Sequence, residues 1–371
     1  MKVAIVHDWL YTYAGAEKVL EQMIKCFPDA DIFTLINNLP ESERSFLNGK
    51  KITTSFIQKI PFAKTKHRLF LPLMPLAIEQ FDMSEYDIVI SSSHAVAKGV
   101  LTGPNQLHIC YCHSPIRYAW DMQHQYLRES NSQSGLKSWL MRYFLHKIRL
   151  WDYRTANGVD YFVANSNFIA KRIKKVYGRD SEVIFPPVNV NKFSANFDKQ
   201  NFYFTASRLV PYKKIDLIAQ TFCKMPDKKL IIAGDGPDKA KLQATIAGHE
   251  NIEYVGFISD EQMVSYMQQA KAFVFAAEED FGIIPVEAQA CGTPVIAYAK
   301  GGALDTIIDN VTGKYFYSQD VTSIINSVKE FEFTNINLSE CVENAQKFSE
   351  EVFCKRFTNF VLDKYNEHNK R

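Results

Sequence analysis

A chain of 371 residues, 46% hydrophobic and 23% charged, is long enough for two domains and too apolar to be disordered. No apolar run is long enough to cross a bilayer, which excludes a membrane-spanning helix and predicts a soluble or peripheral protein. The net charge of +2 leaves no footprint for a nucleic-acid partner, yet it hides an asymmetry: residues 1–187 carry 23 Lys+Arg against 17 Asp+Glu, the remainder 20 against 24. Seven cysteines, odd in number and scattered, with no signal peptide, predict a reducing compartment and a cytoplasmic location.

The chain opens on a strand, MKVAIVHDWL, that stops near Asp8, which reads equally as a turn residue or a substrate contact. A small-residue loop, Ala14-Gly15-Ala16, leads into an amphipathic helix with Val19, Leu20, Met23, Ile24 and Phe27 on one side. Asp29-Ala30-Asp31 is the sole D-x-D of the chain, but it runs straight into Ile32-Phe33-Thr34-Leu35 and so reads as a turn before the second strand. From Lys50 to Arg68 there are six cations and no acid, followed by Leu69-Phe70-Leu71-Pro72-Leu73-Met74, a combination suited to an anionic membrane surface. Two apolar strands follow: DIVISSSHAVAKGV sets Ser91 to His94 at its end, and LHICYCHSPIRYAWD sets His113, Ser114, Arg117 and Trp120 at its end. Cys110, Cys112 and His113 have no second ligand pair at zinc spacing, and the two cysteines alternate along a buried strand as core thiols. The helical stretch KSWLMRYFLHKIRLWDYR interleaves aromatics with five cations; Leu140, Phe144, Ile148 and Trp151 fit either a core stripe or an interfacial face.

Pro186-Pro187 mark the boundary between halves, after which strand and helix alternate from Phe202 to about Val328 as in a doubly wound parallel sheet. Arg208 and Lys213 lie on the loop after Phe202–Ala206, two cations suited to the two charges of a diphosphate. Gly234-Asp235-Gly236 imitates a dinucleotide fingerprint, but Lys239 stands where the third glycine belongs, which disfavours a nicotinamide dehydrogenase. The loop of NIEYVGFISDEQM, with Phe257, is expected beside a nucleotide base, and its helix is predicted to be capped by Ser259 with Gln262. In EDFGIIPVEAQACGTPVIA, two carboxylates eight positions apart flank a helix start: N–H groups near Gly282, Ile283 and Ile284 face phosphate oxygens, Glu287 suits ribose hydroxyls, and Glu279 is free for a sugar. The last stretch, SEEVFCKRFTNFVLDKYNEHNKR, is an amphipathic helix.

These segments carry a resemblance. SRLVPYK, GDGP, VGF and EDFGIIPVEAQACGTPVIA resemble the donor half of glycosyltransferase family 4, and H-S-P-x-R-Y-x-W resembles bacterial mannosyltransferases of lipopolysaccharide and exopolysaccharide assembly. The resemblance implies an α/β protein of the GT-B fold, two Rossmann-like doubly wound parallel-sheet domains facing a cleft. It implies an acceptor-binding domain at 1–187, a nucleotide-sugar-binding domain at 188–345, and a helix at 346–371 crossing back to the first. It implies a retaining hexosyltransferase that uses a nucleotide sugar without a metal or cofactor and is peripheral on the inner face of the cytoplasmic membrane. By the same resemblance His113 and Glu279 serve catalysis. Gly15, Arg208, Lys213, Gly234, Gly236, Phe257, Gly282, Ile283, Ile284 and Glu287 hold the donor, and Asp8, His94 and Arg117 are expected on a lipid-linked or oligosaccharide acceptor. Lys214, where glycine is common, and Asp305, where glutamate is common, depart from the pattern. A non-catalytic sugar-nucleotide-binding subunit and a nucleotide-sugar epimerase remain open as alternatives.

Overall fold

The computed structural model describes residues 1–129 and 133–370; Arg371, the last residue of the expected terminal helix, lies outside them. The chain divides into two compact units, one of residues 1–186 with 353–371 and one of residues 187–352.

The first unit is built on a parallel sheet of β1 (Val3–His7), β2 (Asp31–Thr34), β3 (Ile52–Thr54), β4 (Ile88–Ser93), β5 (Leu107–Cys112), β6 (Tyr161–Ala164) and β7 (Ser181–Val183). Their order is β3-β2-β1-β4-β5-β6-β7, so the direction of winding reverses between β1 and β4. Ligands of such sheets bind at the carboxyl ends beside that reversal. β1, β4 and β5 are buried along their whole length, because helices cover both faces of a parallel sheet and no polar side is needed. Ser91, Ser92 and Ser93 therefore lie within β4 rather than after it. Asp31 opens β2 and accepts a hydrogen bond from the Tyr86 hydroxyl at 2.8 Å, a structural role consistent with the turn reading of the D-x-D.

The second unit carries β8 (Phe202–Ala206), β9 (Lys229–Ala233), β10 (Ile252–Gly256), β11 (Ala272–Phe275), β12 (Val295–Tyr298) and β13 (Gly313–Phe316), in the order β10-β9-β8-β11-β12-β13 and parallel throughout. Here the reversal falls between β8 and β11. The two sheets make the fold α/β with two Rossmann-like units.

The boundary near the carboxyl end differs from the expected residue 345. Val188 N–H donates to the Phe348 carbonyl at 2.8 Å and Phe348 packs against Phe281 at 5.6 Å, which holds the chain in the second unit past the Leu338–Gln346 helix. Only in the following helix, Glu350–His368, do Phe353, Phe357 and Val361 enter the core of the first unit, beside Phe27 and Tyr111.

The aromatic helix Gly135–Thr155 shows how phase decides a face. Its buried line is Ser138, Leu145, Ile148, Asp152 and Thr155, while Leu136, Trp139, Leu140, Tyr143 and Phe144 are exposed. Leu140 and Phe144 thus do not belong to the core stripe. The helix is pinned by a buried ion pair: Lys98 Nζ lies 2.8 Å from Asp152 Oδ1, and the other Asp152 oxygen accepts from Trp120 Nε1 at 2.7 Å. The Lys50–Met74 segment is likewise divided, with Met74 wholly buried and Phe62, Leu69 and Leu73 exposed. Among the described residues no helix is long and apolar enough to cross a membrane.

Candidate functional site

In the second unit the sequence-derived residues gather at the carboxyl ends of β8, β9, β11 and β12. Arg208, exposed, follows β8, and the chain then makes a single 3-10 turn at Pro211–Lys213. Lys214 closes that turn with φ +58°, ψ +27°, the left-handed region, and stands before the Ile215–Phe222 helix. A side chain there costs about 1 kcal/mol relative to glycine, which gives the glycine common at this position a physical reason. Lys213 turns inward and forms an ion pair with Glu279. Glu279 was expected to be free for a sugar; instead it holds the lysine, with 22% of its side chain exposed.

Three neighbouring loops brace the segments that carry this pair. Leu209 N–H donates to the Asp235 carbonyl at 2.9 Å and Asp238 N–H to the Leu209 carbonyl at 3.1 Å, locking the β9 loop with Gly234 and Gly236 against the β8 loop. Gly234 N–H reaches the Gly256 carbonyl at 2.7 Å, which ties in the β10 loop whose next residue, Phe257, is 84% exposed and available to stack. On the other side Gly302 N–H donates to the Glu279 carbonyl at 2.8 Å; a Cβ on Gly302 would lie 2.2 Å from Phe281 Cα, so only glycine allows this approach.

Gly282, at φ +87°, precedes the helix Ile283–Ala290, whose first residues Ile283 and Ile284 present N–H groups without intrahelical partners. Pro285 occupies the third helical position, where no N–H is needed. The N-terminal partial positive charge of the helix favours an anion here. Glu287, half-buried, lies one turn further in.

In the first unit the carboxyl ends of β1, β4 and β5 bring three histidines together. His113, just after β5, places Nε2 at 2.9 Å from Ser92 Oγ on β4, and Ser92 Oγ lies 3.1 Å from Nδ1 of His7 on β1. The rings of His94 and His113 are 6.2 Å apart, and those of His7 and His94 are 6.3 Å apart. Burial draws the His113 imidazole well below its ordinary value, helped by the His94 and His7 charges. Burial also lowers the His94 imidazole, against the pull of Asp8, whose Oδ2 is 3.1 Å from His94 Nδ1. Arg117 is exposed and near enough for its charge to lower His94 further.

Asp8 itself is wholly buried. Its two oxygens accept four backbone N–H groups, from His94, Ala95, Val96 and Ala97, at 2.6–2.9 Å. It brackets the turn after β4 and has no surface for an acceptor, so the contact expected of it gives way to the turn role. Gly15 is the first residue of the helix Gly15–Cys26 rather than part of a loop, so its N–H belongs to a helix start. His7 and Glu17 were not singled out from the sequence, although His7 ends an apolar strand in the manner of His113; Ser92 falls within the Ser91 to His94 stretch that was.

Residues 13–192 match the profile of Glycosyltransferase Family 4, and residues 189–348 match that of Glycosyl transferases group 1. The chain belongs to these glycosyltransferase families. It is similar to the D-inositol 3-phosphate glycosyltransferase of Mycobacterium sp. strain JLS, 25% identical over 46% of this chain and 44% of the relative. It is also similar to a GDP-mannose-dependent alpha-(1-6)-phosphatidylinositol monomannoside mannosyltransferase of Mycolicibacterium smegmatis, 28% identical over 47% of this chain and 53% of the relative. The aligned region spans about half the length of these relatives. Among solved structures, Anabaena Alr3699/HepE in complex with UDP shares the fold with a TM-score of 0.70 at 18% identity, covering 98% of this chain and 100% of that one. These neighbours have the GT-B fold.

Proposed function

We propose that the chain transfers a hexose from a nucleotide sugar to a lipid-linked or oligosaccharide acceptor in bacterial surface glycan synthesis, with mannose from GDP-mannose as the donor. The observation that carries this reading is the gathering of Arg208, Lys213, Glu279 and the Gly282 helix start at the β8–β11 reversal. Two cations and the amide N–H groups at the helix start suit a diphosphate, and would stabilise it as the leaving group when its bond to the sugar breaks. Glu287 suits the vicinal hydroxyls of a ribose, and exposed Phe257 suits a base. Glu279 and His113 are assigned to sugar hydroxyls, and His94 and Arg117 to the acceptor. The acceptor hydroxyl would attack from the face the diphosphate leaves, its proton passing to the phosphate. The mannosyltransferase named among the relatives supports the choice of donor.

The exposed apolar and aromatic side chains of the Gly135–Thr155 helix, alternating with Lys137, Arg142, Lys147 and Arg154, support a peripheral contact with an anionic bilayer.

Thermal stabilisation by a panel of nucleotide sugars tests the donor, followed by a transfer assay with a lipid-diphosphate sugar acceptor. Stabilisation by GDP-mannose above UDP sugars, with transfer of label to acceptor, is the expected result. Isomerisation of the donor without acceptor would replace the reading by an epimerase, and binding without transfer or hydrolysis by a non-catalytic subunit.

A further inference from the structure

Behind His113 runs a line of polar groups that sugar binding alone does not require. His113 Nε2 meets Ser92 Oγ at 2.9 Å and Ser92 Oγ meets His7 Nδ1 at 3.1 Å, while the buried His7 Nε2, which has no hydrogen-bond partner among the described residues, faces the Glu17 carboxylate across 3.6 Å. His7 and Ser92 are wholly buried and Glu17 is 6% exposed. The second Glu17 oxygen accepts the Ala14 N–H at 3.0 Å, so the carboxylate is held in place by the start of its own helix. Burial works against ionisation of Glu17, but His7 and the local backbone outweigh it and leave the carboxyl below its ordinary value.

The Glu17 charge beside His7 favours one arrangement of protons along this line for neutral rings. A carboxylate has only lone pairs, so a buried His7 turns a protonated Nε2 toward Glu17 and keeps Nδ1 bare. The Ser92 hydroxyl then donates to His7 Nδ1 and offers its own lone pair to His113. His113 must donate from Nε2, and its Nδ1 is left unprotonated. His113 Nδ1 has no hydrogen-bond partner among the described residues. We infer that Glu17, His7 and Ser92 are positioning residues that lock His113 in the Nε2–H tautomer and present its Nδ1 lone pair as an acceptor for a sugar hydroxyl. The identity of the hydroxyl rests on the transferase reading above; the tautomer does not.

The test is the ¹⁵N spectrum of histidine-labelled full-length protein at about pH 8, above the ordinary imidazole range. The His113 signals are assigned by their loss in His113→Gln. The expected spectrum shows a protonated Nε2 and a bare Nδ1 in the native protein, and a mixed tautomer in Ser92→Ala and in Glu17→Gln. Turnover in Ser92→Ala falls about tenfold at unchanged donor KM, and Ser92→Thr, which keeps the hydroxyl, restores it. A protonated Nδ1 in the native protein overturns the inference, as do unaltered His113 signals in a folded Ser92→Ala. Should that variant not fold, the native spectrum decides alone. If the transferase reading fails instead, turnover is absent while the tautomer stands.

Discussion

Lys213 and Glu279, 66 residues apart in sequence, form an ion pair at the ends of the adjacent strands β8 and β11. Both are mostly withdrawn from water, at 16% and 22% side-chain exposure. A diphosphate that takes Lys213 must therefore take it from Glu279. Glu279→Gln is expected to bind GDP as tightly as the native protein, or up to about tenfold more tightly, while turnover of the sugar nucleotide drops. Lys213→Ala is expected to weaken GDP by about tenfold or more. Calorimetric titration with GDP, beside transfer assays, separates the two effects.

Glu287 stands on a well-formed helix, so its loss should leave the fold intact. Glu287→Ala is expected to lower kcat/KM by about thirtyfold, the worth of about 2 kcal/mol for hydrogen bonds to a charged acceptor. An unchanged melting temperature with unchanged activity would remove the ribose assignment.

Asp8 predicts the opposite outcome. Asp8→Ala strands four N–H groups in a buried turn, and we expect it to lose about 3 kcal/mol or more of stability. Urea denaturation measures this. A variant of native stability with a raised acceptor KM would return Asp8 to the acceptor.

The pH dependence of stability follows from His108. It is wholly buried, hydrogen-bonded through Nε2 to Ser91 Oγ at 2.9 Å, and burial lowers its pKa to about 4, partly offset by the Gly158 carbonyl. In the unfolded chain an ordinary histidine takes up a proton first as the pH falls. Stability from this group is therefore complete above about pH 6.5 and is lost on descending toward pH 4. His67, also lowered to about 4 by burial, adds to the same window. His108→Gln should flatten the fall in urea midpoint across that interval.

On the Gly135–Thr155 helix Trp139 and Tyr143 stack at 5.9 Å and both are exposed. Replacing Leu136, Trp139 and Tyr143 by serine is expected to reduce sedimentation with phosphatidylglycerol vesicles about tenfold or more, without changing the melting temperature. Raising the salt concentration should weaken the native interaction as well.

Much of this was legible in the sequence because it rests on local rules. The Gly282 helix start, the Ser259–Gln262 cap and the strands β8 to β12 follow from turn residues and apolar runs. Lys214 was visible as a departure, and its left-handed backbone explains why. What stayed hidden depends on contacts between distant segments. Nothing in the spacing of Lys213 and Glu279 sets their separation, and the line from Glu17 to His113 crosses three strands and a helix. The aromatic helix misled for another reason. Apolar residues lie all round it, so periodicity could not say which stripe faces inward, and Leu145 rather than Phe144 does.

The core of the first unit is completed by Phe353, Phe357 and Val361, which follow the entire second unit along the chain. A ribosome therefore delivers every residue of the later unit before the earlier one can close. Nascent chains usually mature from their amino end; here the first sheet waits for its last helix, and until that helix emerges the apolar flank beside Phe27 and Tyr111 stays uncovered.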